Sequence, residues 1–411
     1  MKKILMVAFA MVMVFAFAAC GQNAVTQDAP TGTPTASPTE TPTAEPTAES
    51  TPTVVPTATP VPTATPTPKP TPSVDMSKYD SYVTDGTWLC TPEPLDCLNL
   101  VSTPVERYGQ LQVIGSQLCD ENGNAVELHG VSSHGLHWYG EFVNKDTIEW
   151  LMRDWNINIF RASMYTGEKG YLTNPNVKNK LMEAVDACLE LGLYVIIDWH
   201  MLQDNNPMDN VDAAVEFFKE MATKYGDNPN VIYEIMNEPN GRDVNWIDHC
   251  KPYAERLISE IRAIDPDNLI LVGNPQWSSM PEEVLESPLG EEYSKNIAYV
   301  YHLYTNEGLD HTEVLEEAMK MGLCIFVSEW GAMDADGDGE LGKANGNQFI
   351  RWMDKNNISW CAWSISDKRE TCAFLVNNGR QNRPSFTGGW KDTQLTEWGT
   401  YLRNKLRTIN E

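Results

Sequence analysis

Short apolar runs that end in polar residues recur from about residue 126 onward, and between them lie longer stretches with apolar positions three and four apart. The runs are Val126–Val131, Ile157–Ser163, Tyr194–Asp198, Val231–Met236, Leu269–Gly273, Ile297–Tyr301, Cys324–Ser328 and Ser359–Ser364. Nearly continuous and rich in β-branched and aromatic residues, they predict parallel strands buried on both faces. The intervening stretches Asp146–Trp155, Val177–Leu191, Val211–Tyr225, Trp246–Ile264, Glu313–Met321, Asn345–Asp354 and Leu395–Ile409 predict amphipathic helices. In the second of these, Leu181, Val185, Cys188 and Leu189 share a face, and Gly192 stops the helix. The link between the fifth and sixth runs carries the weakest helical pattern. Ahead of the alternation, apolar Leu111–Ile114 and the turn residues Asp120–Asn124 predict a small hairpin, and Met76–Arg107 reads as irregular lead-in. Eight strands alternating with helices predict an α/β chain folded as a (β/α)8 TIM barrel. The rival, a doubly wound open sheet, usually carries a Gly-rich phosphate turn after its first strand, and none is present.

Composition divides the chain into three. Residues 1–20 combine Lys2 and Lys3 with an apolar run that is too short to span a membrane, which is an export signal. Phe17-Ala18-Ala19-Cys20-Gly21 resembles a bacterial lipobox, so Cys20 is the candidate lipidation site. Phe17 replaces the usual aliphatic residue, and plain secretion is the alternative. Residues 21–76 are dominated by Pro, Thr, Ala and Ser and have too little apolar area to fold, which predicts a disordered, extended tether. The catalytic candidate is therefore residues 77–411. Most of the formal charge of −27 falls there, with no basic patch, which argues against nucleic acid and for a neutral partner. Of nine cysteines, Cys90 and Cys97 flank a short irregular stretch and suit a local disulfide, whereas Cys188, Cys324 and Cys361 sit on apolar faces where buried thiols or bridges both fit.

In a barrel the reactive groups stand at the carboxyl ends of strands, and this is where the unusual residues fall. Glu238 follows the fourth run in Asn237-Glu238-Pro239, and Glu329 follows the seventh in Ser328-Glu329-Trp330-Gly331. Two carboxyl groups facing each other across one mouth are the minimal equipment of a glycosidase. Arg161, leaving an apolar run, needs a carboxylate partner and would hold it charged. Asn237 suits a donor to a sugar 2-hydroxyl, Tyr304 a donor to a carboxylate, and His200 and His302 hydrogen bonds beside them. Trp138, Trp277 and Trp363 are candidate sugar platforms, whereas Trp150, Trp155 and Trp352 sit on helical faces and belong to the core. No HxH pair or Cys/His cluster suggests a metal. The loop Asp334–Glu340 opens like a calcium loop, but its twelfth position is Asn345 rather than Glu, so it reads as a flexible acidic loop.

Asn237-Glu238-Pro239, Ser328-Glu329-Trp330-Gly331, Ser133-His134-Gly135-Leu136, Phe160-Arg161-Ala162, Tyr301-His302-Leu303-Tyr304 and Trp363-Ser364 through Lys368, six motifs in the correct order along the chain, resemble the bacterial endoglucanases of glycoside hydrolase family 5. The resemblance runs from about Tyr108 to Ile409. It implies a retaining endo-β-1,4-glucanase, with Glu238 as acid/base and Glu329 as nucleophile, and with no cofactor and no metal. It further implies that Arg161, His200, Asn237, His302 and Tyr304 surround the cleaved sugar. His134, Trp138, Tyr165 and Trp363 would lie on the glycone side, and Lys368 and Glu370 would reach a more distant glucose. The expected protein is an exported monomer acting on β-glucan, at the cell surface if Cys20 is lipidated. The competing readings are a mannanase or mixed-linkage β-glucanase on the same barrel, and a surface glycan-binding lipoprotein without activity.

Overall fold

A computed structural model describes residues 102–379 and 383–409. Cys20, Cys90, Cys97, the signal, the tether and most of the lead-in lie outside the described residues. A hairpin comes first, β1 (Gln112–Ile114) paired antiparallel with β2 (Gln117–Cys119). Then come β3 (His129–Ser133), β4 (Ile159–Tyr165), β5 (Tyr194–His200), β6 (Val231–Glu234), β7 (Leu269–Val272), β8 (Ile297–Tyr304), β9 (Ile325–Gly331) and β10 (Trp360–Ile365). Each of these eight pairs in parallel with its successor, and β10 closes on β3 to complete the barrel.

Alternation along the strands divides the barrel into an apolar floor and a polar upper layer. Ile159, Tyr194, Ile196, Ile232, Leu269, Leu271, Ala298 and Val300 form the floor, packed with Leu111, Leu118 and Val126 from the hairpin region. The hairpin thus plugs the amino-terminal mouth. Its turn lies at Gly115-Ser116, and not at Asp120–Asn124 as the turn residues suggested. The latter loop follows β2 and closes through a bridge between Cys119 and Ala125. Outward residues of the barrel strands, such as Phe160, Val195, Tyr233 and Trp330, pack against the helices in the larger core.

Helices Val177–Leu191 and Val211–Tyr225 match the periodic stretches residue for residue. The first ends on Gly192 at φ 68°, a left-handed conformation that suits glycine. Asp146–Trp155 and Trp246–Ile264 each contain a π-helical turn, at Leu151–Trp155 and Trp246–Cys250. The lead-in is not wholly irregular: Pro104–Tyr108 is a helical turn closed by a capping box between Thr103 and Glu106. Between β7 and β8 the chain forms only short turns, including Pro281–Glu286, instead of one long helix. Six cysteines among the described residues, Cys119, Cys188, Cys250, Cys324, Cys361 and Cys372, are free and buried, so Cys188, Cys324 and Cys361 are thiols and not bridges. Trp150 and Trp155 are fully buried and Trp352 partly so, as their helical faces imply. β3, β4, β5, β8 and β9 run two or three residues further than the apolar runs that predict them, which carries polar groups such as His200, Tyr304 and Glu329 within the barrel wall, whereas β6 and β7 stop one or two residues short.

Candidate active site

The upper layer is built around one buried cation. Arg161, in β4, is fully inaccessible. Its Nε and Nη2 donate to the two carboxylate oxygens of Glu234 at 2.7 and 3.1 Å, a fork that fixes the guanidinium plane. Held in that plane, Nη2 also donates to Asn237 Oδ1 at 2.6 Å and lies 3.0 Å from Asp198 Oδ2. Nη1 then points to Glu329 Oε2 at 2.9 Å. The tyrosine hydroxyl of Tyr304 donates to the other oxygen, Oε1, at 2.9 Å. Burial alone would raise the carboxyl pKa of Glu329, but the positive fields of His302 and Arg161 and the Tyr304 hydrogen bond outweigh it. The group is held below the ordinary value, hence ionised.

Glu238 is the opposite case. It lies beyond β6, buried, with Oε1 2.9 Å from His302 Nδ1. Burial and then the negative charge of Glu329 push its pKa up to about 7. One oxygen of Glu238, one of Glu329 and a ring nitrogen of His302 lie within 4.8 Å of one another. Two carboxyl groups this close, one protonated and one charged, suit protonation of a leaving oxygen and direct attack on the carbon it leaves.

Asn237 uses one amide hydrogen on the Met201 carbonyl at 3.0 Å, which leaves the second for a ligand. His200 Nδ1 meets Asp198 Oδ2 at 2.6 Å, and burial followed by the Arg161 field lowers its pKa well below the usual histidine value. It is therefore neutral. On one side of the two glutamates, His134, Trp138, Tyr165, Trp363 and His200 form a continuous ring cluster, with Trp363 stacked on His200 at 5.3 Å. Lys368 and Glu370 extend this side: Lys368 Nζ is 2.5 Å from Glu370 Oε2, and His134 Nε2 is 3.7 Å from Glu370 Oε1. On the other side a cleft of about 520 Å³ opens between Glu238, Trp277, Tyr304, Glu307 and Asp336. Trp277 is half exposed there, and it sits in a turn where Gln276, Trp277 and Ser278 all have positive φ (52°, 59° and 57°). That turn is tied to the Glu238 turn, since Trp277 N donates to the Pro239 carbonyl at 3.0 Å and Ser278 Oγ to the Asn237 carbonyl at 2.6 Å.

The candidate site residues of the folded part of the sequence therefore stand around one mouth, with the ring cluster and the Trp277 cleft as two groups beside Glu238 and Glu329. The acidic loop is anchored at several points: Asn306 donates to Asp334 at 2.7 Å and Thr371 to the Gly339 carbonyl at 2.7 Å. The sequence reading left three residues without a role. Glu234 shares Arg161 with Glu329, Asp198 orients His200, and Ser328 joins Glu234 to His302. A signal existed for Glu234, because a carboxylate inside a buried apolar strand requires a cationic partner just as Arg161 requires an anionic one.

A family model described as Cellulase (glycosyl hydrolase family 5) matches residues 119–369. The chain is 46% identical over 286 residues to Endoglucanase A of Evansella cellulosilytica, covering 69% of this chain and 57% of that protein. It is 45% identical over 307 residues to an endoglucanase of Clostridium saccharobutylicum, covering 74% of this chain and 66% of that one. The chain thus spans less than two thirds of the length of either relative. Among solved structures, the catalytic domain of a Thermobifida fusca endoglucanase in complex with cellotetraose superposes with a TM-score of 0.70 at 36% identity, over 75% of this chain and all of that one (100%). By sequence, by barrel topology and by the constellation at its mouth, the chain belongs to glycosyl hydrolase family 5.

Proposed function

We propose that the protein is a retaining endo-β-1,4-glucanase that hydrolyses internal bonds of cellulose and related β-glucans by double displacement. The observation that carries this reading is the pair of carboxyl groups within 4.8 Å whose surroundings drive their proton affinities apart. In the first step the Glu329 carboxylate attacks the anomeric carbon while Glu238 gives its proton to the departing oxygen. The glycosyl ester neutralises Glu329, and so removes one cause of the raised pKa of Glu238. Glu238, now a carboxylate, takes a proton from water, the hydroxide attacks the anomeric carbon, and Glu329 is released. Asn237 donates to the 2-hydroxyl of the reacting sugar, the ring cluster around Trp363 receives the glycone, and Trp277 receives the aglycone. A glucan substrate is favoured by the relatives named endoglucanase and by the cellotetraose complex of the Thermobifida fusca domain.

The test is hydrolysis of carboxymethylcellulose, barley glucan, xylan and mannan side by side, with NMR of the first product anomer. Turnover of the glucans with a β product is expected, and preference for mannan or an α product would refute the reading. Replacement of either Glu238 or Glu329 by Ala should cut turnover by several orders of magnitude while the fold is retained. For the segments ahead of the barrel we propose export, with lipidation of Cys20 and residues 21–76 as the tether. Cys20→Ala should then release the enzyme into the medium, and an unchanged distribution would exclude the anchor.

A further inference from the structure

From the contacts behind the acid/base we infer that Ser328, backed by Glu234, is a positioning residue that fixes the proton on His302 Nε2 and so keeps a shared proton between His302 Nδ1 and Glu238. The inference rests on the acid/base role proposed for Glu238 and deepens it.

The argument is one of donors and acceptors. Ser328 is fully buried, and its hydroxyl has a single hydrogen. Ser328 Oγ lies 2.7 Å from Glu234 Oε1 and 3.0 Å from His302 Nε2. Glu234 is fully buried, and although burial opposes its charge, Arg161 and His302 hold its pKa down at about 2, so it is a carboxylate that only accepts. If the serine hydrogen turned to His302, two bare oxygens would face each other at 2.7 Å in a dry interior. The hydrogen therefore goes to Glu234, and Oγ is left as an acceptor. His302 Nε2 must carry a proton to satisfy it.

With Nε2 committed, Nδ1 is the only variable position of the ring, and it faces Glu238 Oε1 at 2.9 Å. While a proton lies between them, the pair is well bonded whichever partner holds it. Once that proton leaves, a bare nitrogen lone pair opposes a carboxylate. This penalty keeps the proton in place to higher pH than a freely tautomerising histidine would allow. The ionisable groups around the ring are Glu238 and Glu234 on the β6 side, Glu329 of β9, and Asp198 and the neutral His200 of β5, with Arg161 of β4 behind Glu234, and replacing Ser328 by Ala removes none of them. Without Ser328 the neutral ring can move its proton to Nδ1 and donate to the Glu238 carboxylate. The protonated pair loses its Nε2 acceptor at the same time. Both changes release the shared proton at lower pH.

The experiment compares wild type, Ser328→Ala and Ser328→Thr, as full chains, in the pH dependence of kcat/KM on a cellooligosaccharide and on a cellobioside whose dinitrophenolate leaves without acid help. The ring tautomer of His302 is read by 15N NMR. Expected in Ser328→Ala is an alkaline limb moved to lower pH, a loss of tenfold or more on the oligosaccharide with little loss on the activated substrate, and a shift of the neutral ring toward Nδ1–H. Ser328→Thr, which keeps the hydroxyl, should restore the wild-type profile. An unmoved limb in Ser328→Ala, an equal loss on both substrates, or a threonine variant as impaired as alanine would overturn the inference while leaving the glucanase reading intact. Wild type inactive on both substrates would overturn that reading as well.

Discussion

Removing the charge of Glu329 should make Glu238 lose its proton at a lower pH. The perturbation is Glu329→Gln, which keeps the shape of the side chain and the hydrogen bond from Tyr304. An oxygen of Glu238 and one of Glu329 lie no more than 4.8 Å apart, and two unit charges at that distance interact by roughly 3.5 kcal/mol at an effective dielectric constant near 20. At 1.36 kcal/mol per pH unit this is about 2.5 pH units, lessened because each charge is spread over two oxygens. Burial, the larger cause of the raised pKa, remains in the variant. The expected result is therefore a fall of about 1 to 2 pH units from the wild-type position near 7.

The assay is direct titration of the Glu238 carboxyl carbon by 13C NMR in both proteins, with Glu238→Gln to assign the signal, so that it does not depend on residual turnover. The sign is fixed by chemistry. Glu329 as a carboxylate disfavours a second negative charge nearby, and Glu329 as an amide, or as a glycosyl ester, does not. In the double displacement proposed above, the same fall that the amide produces statically would convert Glu238 from acid to base in mid-reaction. A Glu238 signal titrating at the same pH in both proteins would refute this, and would leave burial as the sole cause and the ester without influence on the base step.

Further outcomes follow from the same contacts. Tyr304→Phe deletes a hydrogen bond to a charged group, worth about 1.5–3 kcal/mol, so kcat should fall roughly 10- to 150-fold. Since that bond helps hold Glu329 ionised, the acidic limb of the pH profile should move to higher pH. Trp277→Ala should lower kcat/KM on long oligosaccharides by about fivefold, the equivalent of roughly 1 kcal/mol of stacking, and leave short activated substrates with no aglycone sugar almost unchanged. Asp154→Asn, which leaves Arg403 and Arg407 without their buried carboxylate, should cost about 3–5 kcal/mol, and calorimetry should show melting lowered by about 5–10 °C. Glucanase activity at low temperature should survive that change, because Asp154 lies on the helical side of the barrel and not at its mouth.

The eightfold alternation was legible in the sequence because a strand buried on both faces is written as an unbroken apolar run, and a helix as a 3.6-residue period. Helices with a clean face and a good stop, such as Val177–Leu191, were legible to the residue. Strand ends were not. Tyr165, His200 and Tyr304 are polar or amphipathic, so they read as loop, yet they continue the ladder because their side chains enter the mouth of the barrel. The two glutamates were legible as exceptions at the ends of apolar runs. Glu234 was hidden inside such a run, where its charge is tolerable only because Arg161 arrives from two strands away. The turn at Gln276–Ser278 had no sequence signal at all, since none of its positive-φ residues is Gly or Asn.

The least predictable feature is also the one on which the geometry depends. On a regular strand Ser328 and Glu329 would face opposite sides of the sheet. Val300 of β8 is registered with Phe326, but His302 is registered with Glu329, so three residues of β9 span what two span on β8. This bulge turns both side chains inward while Val327 and Trp330 keep their places in the outer core. One strand therefore supplies the carboxylate that Arg161 and Tyr304 keep charged and, one residue earlier, the hydroxyl that Glu234 and His302 share. A regular β9 could present only one of these to the interior. The placement of Glu329 beside Arg161 and of Ser328 beside His302 thus traces to a single inserted residue in the barrel wall, and no side-chain pattern along the chain announces it.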